Sequence, residues 1–227
     1  MKEWKPALGR TSLKGIALFT MLCDHIACVL LKGEQWSGLY RCMRMIGRVS
    51  FPIFCFVLVL GFLSTSDIKK YISRLFLFAV LSEIPFDLAF SGQLFDWGGQ
   101  NVMFTLLLGL LVLTGIRQFQ ARVWLQGLVC FGGCFAAYIL NTDYSYFGVV
   151  LILIFYLFRD NTVSRYLWAS LLIFSEGGME VYAILGLLVC YYYQPQKREP
   201  GLPKYFFYLF YPVHLLVLWG VASFLTF

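Results

Sequence analysis

Apolar residues run along this chain in long blocks rather than in the alternating pattern of a half-buried strand. The blocks cover residues 13–31, 49–63, 75–90, 101–116, 123–140, 146–158, 166–174, 181–193 and 205–227, with short polar connections between them. Blocks of that kind predict helices that are apolar all round and therefore buried in protein or lipid. A bilayer crossing takes about 20 such residues. The shorter blocks then need interfacial residues to complete the span, or a locally thinned bilayer. No repeat or low-complexity stretch interrupts the pattern, so residues 1–227 read as a single domain. The expected fold is all-α: a polytopic transmembrane helix bundle of about nine crossings.

One stretch is ambiguous. Residues 166–193 fall into two short halves around Glu176-Gly177-Gly178-Met179-Glu180. They fit a hairpin of two short helices, a re-entrant pair shielded by protein, or one bent crossing. The connections favour two elements. Lys2, Lys5 and Arg10 precede the first block. Lys69, Lys70 and Arg74, then Arg117 and Arg122, then Arg159 and Arg165, then Lys197, Arg198 and Lys204 occupy every second connection after it. The loops around Asp96 and Asp143 carry no Lys or Arg. Basic loops stay on the cytoplasmic side, so the alternation predicts the N-terminus inside and the C-terminus outside. Lys32, Arg41, Arg44 and Arg48 break the rule and read either as a basic interfacial loop against anionic headgroups or as a gathering point for an anionic group.

Composition narrows the class. Of the 227 residues, 60% are hydrophobic and only 13% charged, against about 25% charged in soluble domains. Such a chain is neither disordered nor a soluble enzyme; it belongs in a cell membrane, as a multi-pass protein. The net charge of +6 sits in loops between apolar blocks, which fits membrane orientation rather than nucleic acid. The seven cysteines form no CxxC and lie mostly inside apolar blocks, so they read as small hydrophobes. The apolar stretch after Arg10 contains Asp24 and His25 without a small-x-small cleavage site, and reads as a retained first helix rather than a signal peptide.

Ionisable groups at membrane depth are costly and mark function by default. Counting about 1.5 Å per residue from the inner end of each block puts His25 and Asp87 roughly 18 Å deep and His214 roughly 14 Å deep. Three chemically capable side chains on three helices thus share a level. Lys14 shares a helical stripe with His25, whereas Asp24, its neighbour in sequence, points elsewhere and needs another partner unless the helix unwinds there. A midplane histidine serves best as a neutral base. Glu83 and Asp87 form an i,i+4 carboxylate pair across Pro85, which predicts a shared proton or a basic partner such as Arg48. Glu176 and Glu180 repeat the spacing and read as a solvated cap. No phosphate loop, dinucleotide fingerprint, metalloprotease or nucleophile-elbow motif occurs, and no metal-ligand spacing.

Several segments carry a resemblance. Leu13-Lys14-Gly15-Ile16-Ala17 followed by Met21 and Asp24-His25-Ile26, Ile46-Gly47-Arg48 leading into Phe51-Pro52-Ile53-Phe54, Leu81-Ser82-Glu83-Ile84-Pro85-Phe86-Asp87, Asn101-Val102 with Thr105-Leu106, and Phe207-Tyr208-Leu209-Phe210-Tyr211-Pro212-Val213-His214-Leu215 resemble, in order, the TraX family of membrane proteins. That family's namesake is linked to N-terminal acetylation of F pilin. A wider likeness is to the acyltransferase-3 type membrane enzymes, with Lys14 and His25 at the spacing of their Arg–His pair and Tyr208, Tyr211 and His214 in a similar final helix. Lys in place of Arg departs from that pattern and weakens any planar two-pronged contact. The chain is also one helix short of that family's usual ten.

The resemblance implies an acyltransferase of a bacterial inner membrane with acetyl-CoA as cytosolic donor; the missing metal-ligand spacing makes no metal the expectation. On that basis His25 is the expected general base or acyl carrier, with Asp24 or Asp87 stabilising its charged form. Lys14, Lys69, Lys70 and Arg74 are expected to meet the donor. Arg48, Glu83, Asn101, Tyr211 and His214 are expected to face the acceptor, an amine or hydroxyl on a protein N-terminus, glycan or small molecule. The expected partners are membrane lipids and that acceptor, with no nucleic acid. The alternatives are a non-enzymatic membrane subunit of a conjugation or secretion assembly, and a small transporter relaying protons through Glu83, Asp87 and the histidines.

Overall fold

The computed structural model describes residues 7–31, 36–197, 199–201, 203 and 205–225. Lys2, Lys5, Lys32, Arg198 and Lys204, counted above among the loop charges, lie outside the described residues. The described chain is helical: α1 (Arg10–Leu30), α2 (Ser37–Gly47), α3 (Ser50–Ser64), α4 (Ile68–Phe90), α5 (Val102–Gln118), α6 (Val123–Ile139), α7 (Ser145–Leu157), α8 (Thr162–Glu176), a 3-10 turn (Gly178–Ala183), α9 (Ile184–Tyr191) and α10 (Phe206–Leu225). Three helical stretches, Arg10–Leu30, Ser37–Ser64 and Phe206–Leu225, are long and apolar enough to cross a membrane.

Local chemistry sets the helix starts. Asp67, Asn101 and Asn161 each cap a helix, accepting from the backbone N–H of Lys70, Met103 and Ser164 at 3.0 Å, which satisfies donors that the first turn leaves open. Two isolated β-bridges tie the connections together, Leu8 with Tyr193 and Gln100 with Thr142. They mark the two ends of the bundle. At the first end Arg10 reaches Ser64 (3.1 Å), Arg117 lies over Phe62 (5.7 Å) and Arg165 over Phe56 (5.6 Å). The alternating basic connections therefore meet at one end, and the loops around Asp96 and Asp143 meet at the other.

The stretch 166–193 is a hairpin. Gly177 and Gly178 take φ of +69° and +55°, a region that costs residues with a Cβ, and the chain doubles back so that the Tyr166 and Tyr191 rings touch at 5.6 Å. The basic segment after the first block is not a loop: residues 37–47 form α2, whose Leu39 and Ile46 face outward, 49% and 42% exposed, while Arg44 and Arg48 turn inward. This is an inverted amphipathic helix. Its apolar face has no protein to cover it, as expected of a helix whose surroundings are lipid. Helix α6 makes the same point, since Ala137 is its one buried residue and Phe131 stands 68% exposed. The core gathers Leu13, Ile53, Phe62, Leu110, Leu151, Phe155 and Leu215, each 2% exposed or less.

Candidate functional site

Helices α1 and α10 bring the chain's two histidines together. His25 Nδ1 lies 2.7 Å from His214 Nε2 with the rings nearly parallel, and His214 Nδ1 lies 2.7 Å from the Phe210 carbonyl oxygen. A carbonyl only accepts, so His214 Nδ1 carries the proton and donates. In a neutral imidazole the other nitrogen is then an acceptor, so His25 Nδ1–H donates to His214 Nε2. His25 is left with its lone pair on Nε2, which takes no hydrogen bond from a described residue. One backbone carbonyl thus fixes both tautomers and presents His25 as a base, the role that a carboxylate plays behind a catalytic histidine. Phe90 and Tyr211 enclose the His25 ring edge-on at 5.4 and 6.0 Å.

Two cavities flank this pair. The inner one, about 410 Å³, is lined at the basic end by Arg10, Lys14, Ser64 and Arg74 and reaches Met21, Phe54, Val102 and Tyr211. The outer one, about 300 Å³, is lined by Asp24, His25, Arg44, Arg48, Asp143 and Tyr144, and again by Met21, Phe54 and Val102. Those three shared apolar residues form the partition, and His25 sits one helical turn beyond Met21.

Asp24 finds the partner it lacked on its own helix: Arg44 at 2.6 Å and Arg48 at 3.7 Å, both at the α2–α3 stretch. It does not touch His25. Arg48, 8% exposed, also pairs with Glu180 at 3.1 Å and donates to the Tyr144 hydroxyl at 3.3 Å, so Glu180 is part of an ion-pair cluster rather than a solvated cap. Asp143 faces the outer cavity with accessible surface, yet protein surrounds it closely enough that burial pushes its carboxyl up to about 6 against the opposing pull of Arg48.

The remaining expected residues are placed as follows. Glu83 and Asn101 meet each other: Asn101 donates to the Glu83 carboxylate from its backbone N–H at 3.3 Å and from its amide. Neither lines either cavity. Asp87 accepts from the Asp96 N–H at 2.9 Å, away from Arg48 and both cavities. Lys14 stands over the Phe207 ring at 4.4 Å beside Arg74. Lys70 pairs with Asp67 at 3.0 Å, and neither it nor Lys69 lines the inner cavity. Arg10, Asp143 and Tyr144 complete the cavities without having been expected there, and Arg44 joins them from the basic stretch read as a possible gathering point for an anionic group. For Arg44 a signal existed, since Arg41, Arg44 and Arg48 share one helical face opposite Leu39, Met43 and Ile46.

The fold and this centre define a helical membrane protein with a buried histidine pair between two polar-mouthed cavities. The family model described as "TraX protein" matches residues 9–222, and the chain belongs to the TraX family. It is 32% identical over 237 residues to a protein named "Probable fimbrial assembly protein FimC, serogroup H1" from Dichelobacter nodosus, covering 94% of this chain and 95% of that one. No solved structure matches it.

Proposed function

We propose that this chain is a membrane-embedded acyltransferase that moves an acetyl group from acetyl-CoA to an amine or hydroxyl acceptor on the opposite side. The observation that carries the reading is the His25 Nε2 lone pair, oriented by His214 and Phe210, beside a partition between two cavities. Arg10, Lys14 and Arg74 supply cations for the donor's phosphates at the mouth of the inner cavity. The apolar throat at Leu18, Phe54 and Val57 suits an uncharged pantetheine arm. The acceptor enters the outer cavity, His25 takes its proton during attack, and the charge that forms is shared with His214.

In this reading the basic end is cytosolic, the helices make nine crossings of a bacterial inner membrane, and the partners are lipid and the acceptor. Purified protein in liposomes given labelled acetyl-CoA should release or transfer the label, and a mass difference between parent and deletion cells should reveal the acceptor. Lys14→Ala should raise KM for acetyl-CoA several-fold with kcat nearly unchanged, and Lys14→Arg should restore it.

The similarity to a protein named for fimbrial assembly favours one second reading, a non-enzymatic assembly subunit. Inert behaviour toward labelled acetyl-CoA together with loss of fimbriae on deletion would establish that reading instead.

A further inference from the structure

One stripe of α1 runs through both cavities. Lys14, Leu18 and Met21 line the inner one, and Met21, His25 and Cys28 line the outer one. Their spacing of three and four residues puts them on one face of the helix, and Met21 is the position common to both. On α3 and α5 the residues shared in this way are Phe54 and Val102. Side chains from three helices thus close the junction between the cavities. A donor entering from the basic end and an acceptor held beside His25 meet at this junction, so the group being transferred lies against it. The three walls differ in stiffness. Val102 is the first residue of α5, and the Asn101 cap holds it in place. The Asn101 side chain accepts from the Met103 N–H at 3.0 Å and donates to the Ala79 carbonyl of α4 at 2.9 Å. Phe54 is a rigid ring flanked on α3 by the fully buried Ile53 and Cys55. Met21 is 5% exposed, and its unbranched side chain fills gaps by rotation. It is the adaptable wall. None of the three carries a charge or a strong hydrogen-bonding group, so the junction selects by volume.

We infer that Met21, set against Phe54 and Val102, limits the transferred group to a short acyl chain, passing acetyl and refusing butyryl and longer chains, an assignment that rests on the acyl-transfer reading. The thioester carbonyl has to come within reach of an acceptor beside His25, one helical turn beyond Met21. Whatever is attached to that carbonyl then occupies the junction. A methyl group is the smallest such substituent, and each added methylene needs space that the three side chains occupy. One methylene in an apolar pocket changes kcat/KM by about 10–200-fold. Truncating Met21 to alanine removes the side chain beyond Cβ, which opens room for the two further carbons of a butyryl group. The histidine pair and the cations at the inner mouth are left as they are.

The experiment compares acyl chains rather than absolute rates, which separates selection from packing. Full-length protein in liposomes is given acetyl-CoA or butyryl-CoA, and release of the free CoA thiol is followed. The parent should prefer acetyl by at least about tenfold in kcat/KM. Met21→Ala should raise the butyryl-to-acetyl ratio by at least about tenfold, whereas Met21→Leu conserves volume and should hold the ratio within about threefold of the parent. Val102→Ala enlarges the same junction from α5 and should move the ratio in the same direction, which keeps the test in force if Met21→Ala does not fold. Met21→Ala also costs core packing. Leu18→Ala controls for that loss, because Leu18 is buried to a similar degree and lines the inner cavity without reaching the outer one. It should leave the ratio within about threefold of the parent. Equal use of acetyl and butyryl by the parent, an unchanged ratio in both Met21→Ala and Val102→Ala, or an equal rise in Leu18→Ala overturns the assignment while leaving acyl transfer in place. A parent inert toward both thioesters overturns the acyl-transfer reading, and the chain-length limit with it.

Discussion

At the residue scale the centre depends on a direction of donation. His25 keeps a lone pair on Nε2 only while His214 Nε2 accepts its Nδ1 proton, and that depends on the Phe210 carbonyl holding the His214 proton at 2.7 Å. His25→Gln keeps a hydrogen-bonding group of similar size but has no basic nitrogen, so acetyl transfer should fall by at least about 10²-fold with the protein still inserted. Near-parent turnover by His25→Gln, measured with labelled acetyl-CoA, would remove His25 from the chemistry. The two histidines were legible in the sequence as residues of similar membrane depth. Their pairing was not, because depth along separate helices says nothing of which faces meet.

Asp143 carries a second residue-scale consequence. Its carboxyl is held up at about 6, against about 3.9 in an unfolded chain. Between those values the folded protein keeps a proton that the unfolded chain has released, so this group lowers stability as pH rises through the window and has no effect below it. Asp143→Asn should therefore melt higher than the parent above pH 6 and at the same temperature below about pH 4, where both states are protonated. The difference should stay below about 1 kcal/mol, because the side chain is accessible to solvent in the cavity. Equal melting temperatures at both pH values would show that its surroundings do not hold the proton.

At the element scale the hairpin of α8 and α9 matters through one close contact. A Cβ on Gly186 would stand 2.5 Å from the Val49 carbonyl oxygen and 3.3 Å from Pro52, so α9 reaches the start of α3 only because that position is bare. The same approach carries the 3-10 turn with Glu180 onto Arg48, 3.1 Å away. Gly186→Ala should separate the two helices at a cost of about 1–3 kcal/mol, seen as a lower melting temperature in detergent. Loosening of the Arg48 cluster should follow, visible as greater labelling of a cysteine placed at Met179, next to Glu180. The hairpin itself was legible from the Gly-Gly break and the loop charges. The helix α2 was not, because three arginines in a short stretch read as loop until the opposite face of Leu39, Met43 and Ile46 is set against lipid instead of water.

At the scale of the whole molecule, the bridges between Leu8 and Tyr193 and between Gln100 and Thr142 give the bundle two ends that differ in charge. Arg10, Arg117 and Arg165 pack at the first, and the Asp96 and Asp143 loops close the second, with Asp143 donating its N–H to Gln100 at 2.9 Å. Because such contacts fix which connections share an end, the sidedness of one connection determines that of the others joined to it. Positive loops are retained in the cytosol, so reporter fusions at Lys197 and at Asp160 should report inside and a fusion at Gly98 outside. The outer cavity, with Asp143 and the Arg44–Asp24 pair, would then open away from acetyl-CoA, as transfer across the membrane requires. Agreement between Gly98 and Asp160 would mean that the two ends lie on one side of the bilayer, which would leave donor and acceptor in the same compartment. The reverse result, Gly98 inside and both others outside, would preserve the two-ended bundle but present its histidine-lined cavity to the cytosol. Donor and acceptor would then have to exchange cavities, and the Lys14→Ala substitution should no longer change KM for acetyl-CoA.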